Sequence, residues 1–109
     1  MSTIHQPGAD HLIIQGSNTW VGLLDGNKLP TLESFYEGIS NALNFPDYFG
    51  QNLDALDELL FDMDWIRQDH VLLIISNSAQ LLHEDTVRKP NLMALLSDVE
   101  NPALEIILL

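Results

Sequence analysis

The chain contains no cysteine, which excludes disulfides, thiolate metal sites and a cysteine nucleophile. It has little positive charge: four Lys and Arg stand against 16 Asp and Glu, a formal net charge of −12. A field of that sign repels nucleic acid and anionic membrane, and it speeds encounter with basic partners. No apolar run approaches the ~20 residues of a membrane-spanning helix. The opening residues, "MSTIHQPGADHLIIQ", carry neither a basic leader segment nor a long apolar one, so no secretory signal is read and the cytoplasm is the expected compartment. Repeats, low-complexity tracts and internal linkers are also missing. There is no glycine-rich phosphate cradle. His5, His11, His70 and His83 lack metal-ligand spacing, so neither metal nor cofactor is expected. Nothing pairs a nucleophile with a base, and no enzyme is expected.

What is there suits one small folded domain. The 109 residues are 46% hydrophobic, enough for a single core and too few for two. Met1 and the residues up to Asp10 are polar, hold Pro7-Gly8, and read as a loose arm. "HLIIQ" and "TWVGLL" read as strands, the second ended by turn chemistry at Asp25-Gly26-Asn27. Thr31 caps a helix expected over 31–44, with Leu32, Phe35, Ile39 and Leu43 on its buried side, and Pro46 stops it. Asn52 caps a second helix running to about Met63, with Leu53, Leu56, Leu59, Leu60 and Met63 on one side. "HVLLIIS" is continuously apolar, the pattern of a strand buried on both faces. Residues 78–83 suggest a helical turn. Pro90 opens a helix bearing Leu92, Leu95, Leu96 and Val99, which Asn101-Pro102 ends, and "ALEIILL" closes the chain as a strand. Strands separated by helical crossovers imply a parallel sheet. The fold expected is a small two-layer α/β arrangement: three parallel strands near 21–24, 71–75 and 104–108, helices packed on them, and "HLIIQ" as a possible extra edge strand.

One stretch needs its own explanation. "FPDYFGQNLDALDELLFDMDW", residues 45–65, holds six carboxylates and no Lys or Arg. Asp54, Glu58 and Asp62 recur at helical spacing opposite the leucines, with Asp57 beside them and Phe61 nearby. Asp54 gains from the positive end of the helix, but like charges four residues apart cost roughly 0.2–0.5 kcal/mol per pair. A helix built for solubility alone would interleave Lys. Two readings stay open from the residues: a solvated face, or a docking site for a basic partner. Phe61 is either an apolar anchor on that face or a residue turned into a side crevice. The acids from Asp54 to Asp64 lack the glycine and ligand alternation of a calcium loop. Trp20, Trp65 and Tyr36 read as core or rim residues.

The same stretch resembles the barstar family of intracellular ribonuclease inhibitors. Pro46, Tyr48, Gly50, Asn52, Leu53, Asp54, Ala55 and Leu56 match the family segment position for position, and the order of elements matches from "GLLDG" to the C-terminal "EIILL". The resemblance covers residues 21–109 and leaves the arm outside it, dividing the chain into an N-terminal extension, 1–19, and a barstar-like domain, 20–109. It implies that the acidic helix and the loop before it enter the basic active site of a ribonuclease, with carboxylates in place of RNA phosphates. On that likeness Tyr48, Asn52 and Asp54 hold contact positions. Glu58 stands where the family inserts an aspartate most deeply, one methylene longer, and Asp57 replaces a contact tryptophan. Asp98 stands for a distant family glutamate. The expected site is therefore Tyr48, Asn52, Asp54, Asp57, Glu58, Phe61 and Asp98, and the expected partner is a basic protein, a ribonuclease, bound by a monomer. The alternative is a barstar-like adaptor that binds a basic protein without inhibiting an enzyme, in regulation or secretion.

Overall fold

The computed structural model describes residues 4–6, 9–14 and 18–109. In chain order these form β1 (Ile4–Gln6), β2 (Ala9–Ile14), β3 (Thr19–Asp25), α1 (Leu32–Ala42), α2 (Leu53–Asp62), β4 (His70–Ser76), α3 (Lys89–Asp98) and β5 (Leu104–Leu108), with short 3₁₀ turns at Gly26–Lys28 and Ser78–Gln80. The strands make one sheet in the order β1-β2-β3-β4-β5. β3, β4 and β5 are parallel, with Val21 opposite Leu72 and Leu72 opposite Glu105. The crossovers that parallel pairing requires are α1 with α2, then α3. The three-stranded parallel sheet read from the sequence is therefore present.

The N-terminal side differs from expectation in two ways. The opening residues supply β1 and the start of β2, where a loose arm was expected; residues 1–3 and 7–8 of that arm lie outside the described residues. "HLIIQ" does pair with β3, antiparallel, but it is not the sheet edge, because β1 pairs antiparallel on its far side. A hairpin joins these strands with little loop entropy to overcome, and β3 would otherwise leave a row of backbone groups unpaired. Gln15, the last residue of that run, is outside the described residues.

Helices cover one face of the sheet. Trp20, Leu24, Val71, Leu73 and Ile75 join Leu32, Phe35, Ile39, Leu56, Leu60, Leu92 and Leu96 in a single core cluster. The alternate residues Leu23, Leu72 and Ile74 point away from it and are half-buried. The expected burial of "HVLLIIS" on both faces is thus corrected: with one helical layer, only every second residue of β4 reaches the core. In α2, Leu56, Leu59, Leu60 and Met63 are buried and Leu53 is half-buried, as the helical spacing implied.

α1 is fixed at both ends. Thr31 and Ser34 form a reciprocal capping box, and the Asp85 carboxylate accepts from the Leu32 amide at 3.0 Å. Arg88 joins Asp85 through Nε and Glu33 through its two terminal nitrogens, the latter at 2.9 and 2.6 Å. The far end has no basic residue in its last turn. There the Trp20 indole N–H donates to the Ala42 carbonyl at 2.8 Å and that of Trp65 to the Leu43 carbonyl at 2.9 Å. Close approach of helix and sheet needs Gly22, where a Cβ would lie 2.9 Å from a Leu43 methyl and 3.2 Å from the Ala42 carbonyl oxygen.

Two expectations follow from these ends. Trp20→Phe keeps most of the ring volume but strands the Ala42 carbonyl, and denaturant unfolding should show a loss of about 1–2 kcal/mol. The hydrogen bonds from Arg88 are the largest influence holding the Glu33 and Asp85 carboxyls below their ordinary values of 4.5 and 3.8. Carboxyls lowered in the folded state stabilise above their unfolded pKa, and that contribution fades as pH falls through the folded one. Asp85→Asn should therefore be less stable than wild type at neutral pH, and the gap should close below about pH 3.8.

Candidate functional site

The segment that carries the site begins with Phe45, which is buried, and Phe49, which is half-buried. Phe45 meets Phe49 edge-on at 5.0 Å and Trp65 at 5.5 Å, and Phe49 meets Tyr36 at 5.7 Å. The Phe49 amide closes a turn on the Pro46 carbonyl. Between these anchors Tyr48 is turned out, 76% exposed. Burial raises the Tyr36 phenol above its ordinary value, in keeping with a ring that belongs to the core. The loop is thus held from beneath while presenting one aromatic side chain to solvent.

Asn52 turns the loop into a helix. Its Oδ1 accepts from the Ala55 amide at 2.8 Å and its Nδ2 donates to the Gly50 carbonyl at 3.2 Å. These bonds give Asn52 a structural task at the N-cap. From that start, Asp54, Asp57, Glu58 and Asp62 all emerge exposed. Phe61 is 61% exposed, which places it on the acidic face. α2 ends at Met63, which adopts a left-handed conformation with its side chain buried.

The third part comes from far along the chain. The end of α3 and the residues after it bring Asp98 and Glu100 beside α2, so that Asp57, Glu58, Phe61, Asp98 and Glu100 line one open groove of about 330 Å³. Of the residues expected at the site, Asp57, Glu58, Phe61 and Asp98 meet here. Asp54, Asn52 and Tyr48 lie outside the groove lining, toward the start of α2 and in the loop before it. Glu100 carries no signal of its own in the sequence, beyond standing two residues after Asp98 where a helix is about to end. Among the described residues no Lys or Arg pairs with any of these acids; the ion pairs found involve Arg88 with Glu33 and Asp85, and His83 with Glu84. Among the described residues, too, no three acidic or histidine side chains converge as metal ligands would. A groove of unpaired carboxylates around an exposed ring is suited to receiving cationic side chains, through ion pairing and through the face of the aromatic ring.

Comparison with known proteins speaks at the level of family. The chain is 40% identical over 38 residues to the Bacillus subtilis (strain 168) protein named "Putative ribonuclease inhibitor YrdF", a match spanning 35% of this chain and 42% of that protein's length. The model of the family described as "Barstar (barnase inhibitor)" matches residues 21–105. With most of its length matched, from β3 into β5, the chain belongs to the Barstar family.

Proposed function

We propose that the chain is a cytoplasmic, monomeric inhibitor of immunity type that docks into the basic active site of a ribonuclease and excludes RNA from it. The observation that carries this reading is the groove, in which carboxylates from two distant parts of the chain surround exposed Phe61 with no cation among the described residues to neutralise them. A ribonuclease cleft must be basic to hold a phosphodiester, so it is the complementary surface. Tyr48 and Asp54 extend the docking surface toward the loop, and Asn52 supports it by holding the helix start. The carboxylates that line the groove are all exposed, which suits a part in binding. Family membership and the partial likeness to a protein named as a ribonuclease inhibitor support the same direction.

The self-repulsion of α2 is then relieved on binding. In the free protein Asp54→Ala or Glu58→Ala should leave equilibrium stability within about 0.5 kcal/mol of wild type, or raise it slightly, since both residues are exposed and each loses a like-charge neighbour. A loss above about 2 kcal/mol would mark a structural carboxylate instead.

Against a captured partner, surface plasmon resonance should rank Glu58 as the most sensitive position. Glu58→Lys should abolish binding, and Asp62→Lys, farther along the helix, should mainly slow association. Affinity should fall with rising salt, because exposed charges are screened. Unchanged affinity for Glu58→Lys would reduce the acidic face to a solvated one. A captured basic partner that cleaves no RNA would replace the inhibitor with an adaptor of the same docking mode.

A further inference from the structure

The groove has two walls, and one side chain ties them together. Asn101 follows Asp98 and Glu100 in the connection to β5. Its Nδ2 donates to the Leu60 carbonyl of α2 at 3.0 Å, and its Oδ1 accepts from the Ala103 amide at 3.0 Å. Its own carbonyl accepts from the Leu104 amide. Among the described residues the Asn101–Leu60 bond is the one hydrogen bond joining α2 to this connection. The Leu60 carbonyl lies in the last turn of α2, and the chain leaves the helix at Met63 with φ of 48°. It is therefore a helix-end acceptor without an amide four residues on to serve it.

We propose that Asn101 is a positioning residue for the docking groove, a strut that holds Asp98 and Glu100 against α2 opposite Asp57 and Glu58. The inference rests on the docking reading given above and adds to it the group that sets the groove's width. The carboxylates of the groove come from α2 and from the end of α3 with the residues after it, and a tie between these segments fixes their spacing before any partner arrives. A wall already in place spares the complex the cost of ordering it. Only a carboxamide does this at position 101, with a donor toward Leu60 and an acceptor toward Ala103. An aspartate of the same shape would keep the bond to Ala103 while setting an oxygen against the Leu60 oxygen, at the negative end of α2.

Asn101→Asp is thus the variant of choice, with Asn101→Ser as the second: a serine hydroxyl can accept from the nearby amide but is shorter than the carboxamide that reaches Leu60. The probe is a hexa-arginine peptide titrated at low salt into the full chain, read residue by residue from ¹H–¹⁵N NMR shifts. In wild type both walls should respond together, at Asp57 and Glu58 and at Asp98 and Glu100. In Asn101→Asp the α2 response should persist while that of Asp98 and Glu100 collapses. In Asn101→Ser, which adds no charge, affinity should weaken about two- to thirtyfold, the range that two exposed charge pairs account for. In a background of Asp98→Asn with Glu100→Gln, Asn101→Asp should cost nothing further, because the wall it positions no longer carries charge. Both walls responding as in wild type would overturn the strut, as would a full additional loss in that background. A wild-type chain whose groove ignores the peptide would instead overturn the docking reading, and the strut with it.

Discussion

Two indole N–H groups hold the C-terminal end of α1, and the position of the acidic face follows from them. Trp20 reaches that end from the sheet and Trp65 from the segment after α2, serving the consecutive carbonyls of Ala42 and Leu43. Without basic residues in its last turn, α1 depends on these neutral donors to satisfy carbonyls that burial would otherwise strand. Gly22 lets the helix come close enough for the contact. The loop that follows can then start from a fixed point, its Phe45 and Phe49 held against Trp65 and Tyr36, and the start of α2 is set by the Asn52 cap. Tyr48 and the acidic face are exposed because the residues around them are so firmly anchored.

Two of the four Lys and Arg are engaged away from that face. Arg88 clasps Glu33 and Asp85 across the start of α1, and Lys89 donates to the Ala79 carbonyl at 2.9 Å. Among the described residues, the acids of α2 and of the α3–β5 connection are in none of the ion pairs found. Their mutual repulsion is tolerated because each is exposed to water, where charges at groove distances interact weakly. On the proposed reading the same repulsion becomes useful, since a cationic surface that fills the groove removes it.

Much of the fold was legible from residues with a local physical meaning. Thr31 and Asn52 cap the helices they were expected to cap, because a short polar side chain before an apolar period has few other uses. "TWVGLL" and "ALEIILL" are strands in the parallel sheet. The hairpin was harder to read: β1 is three residues long and its polar sequence has no pattern for a strand to show. The continuous apolar run of β4 overstated its burial, because strand periodicity says which residues alternate but not whether a second layer exists. At the site, helical spacing set Asp54, Glu58 and Asp62 opposite the leucines with Asp57 flanking, left Phe61 open between that face and a side crevice, and family resemblance supplied Asp98. Glu100 and Asn101 could not be found in that way. Their place beside α2 comes from where the end of α3 is folded, and that contact lies between segments distant in sequence.

The central claim is that this acidic groove covers the basic cleft of a ribonuclease. Affinity capture with the wild-type chain from a lysate of its own source cells, followed by an RNA-cleavage assay of the captured protein, tests it most directly. The account predicts a basic protein that cleaves RNA when released and falls silent as the chain is added back to one equivalent. Recovery of a partner whose RNA cleavage is unaffected by saturating chain, or which cleaves no RNA at all, would contradict it.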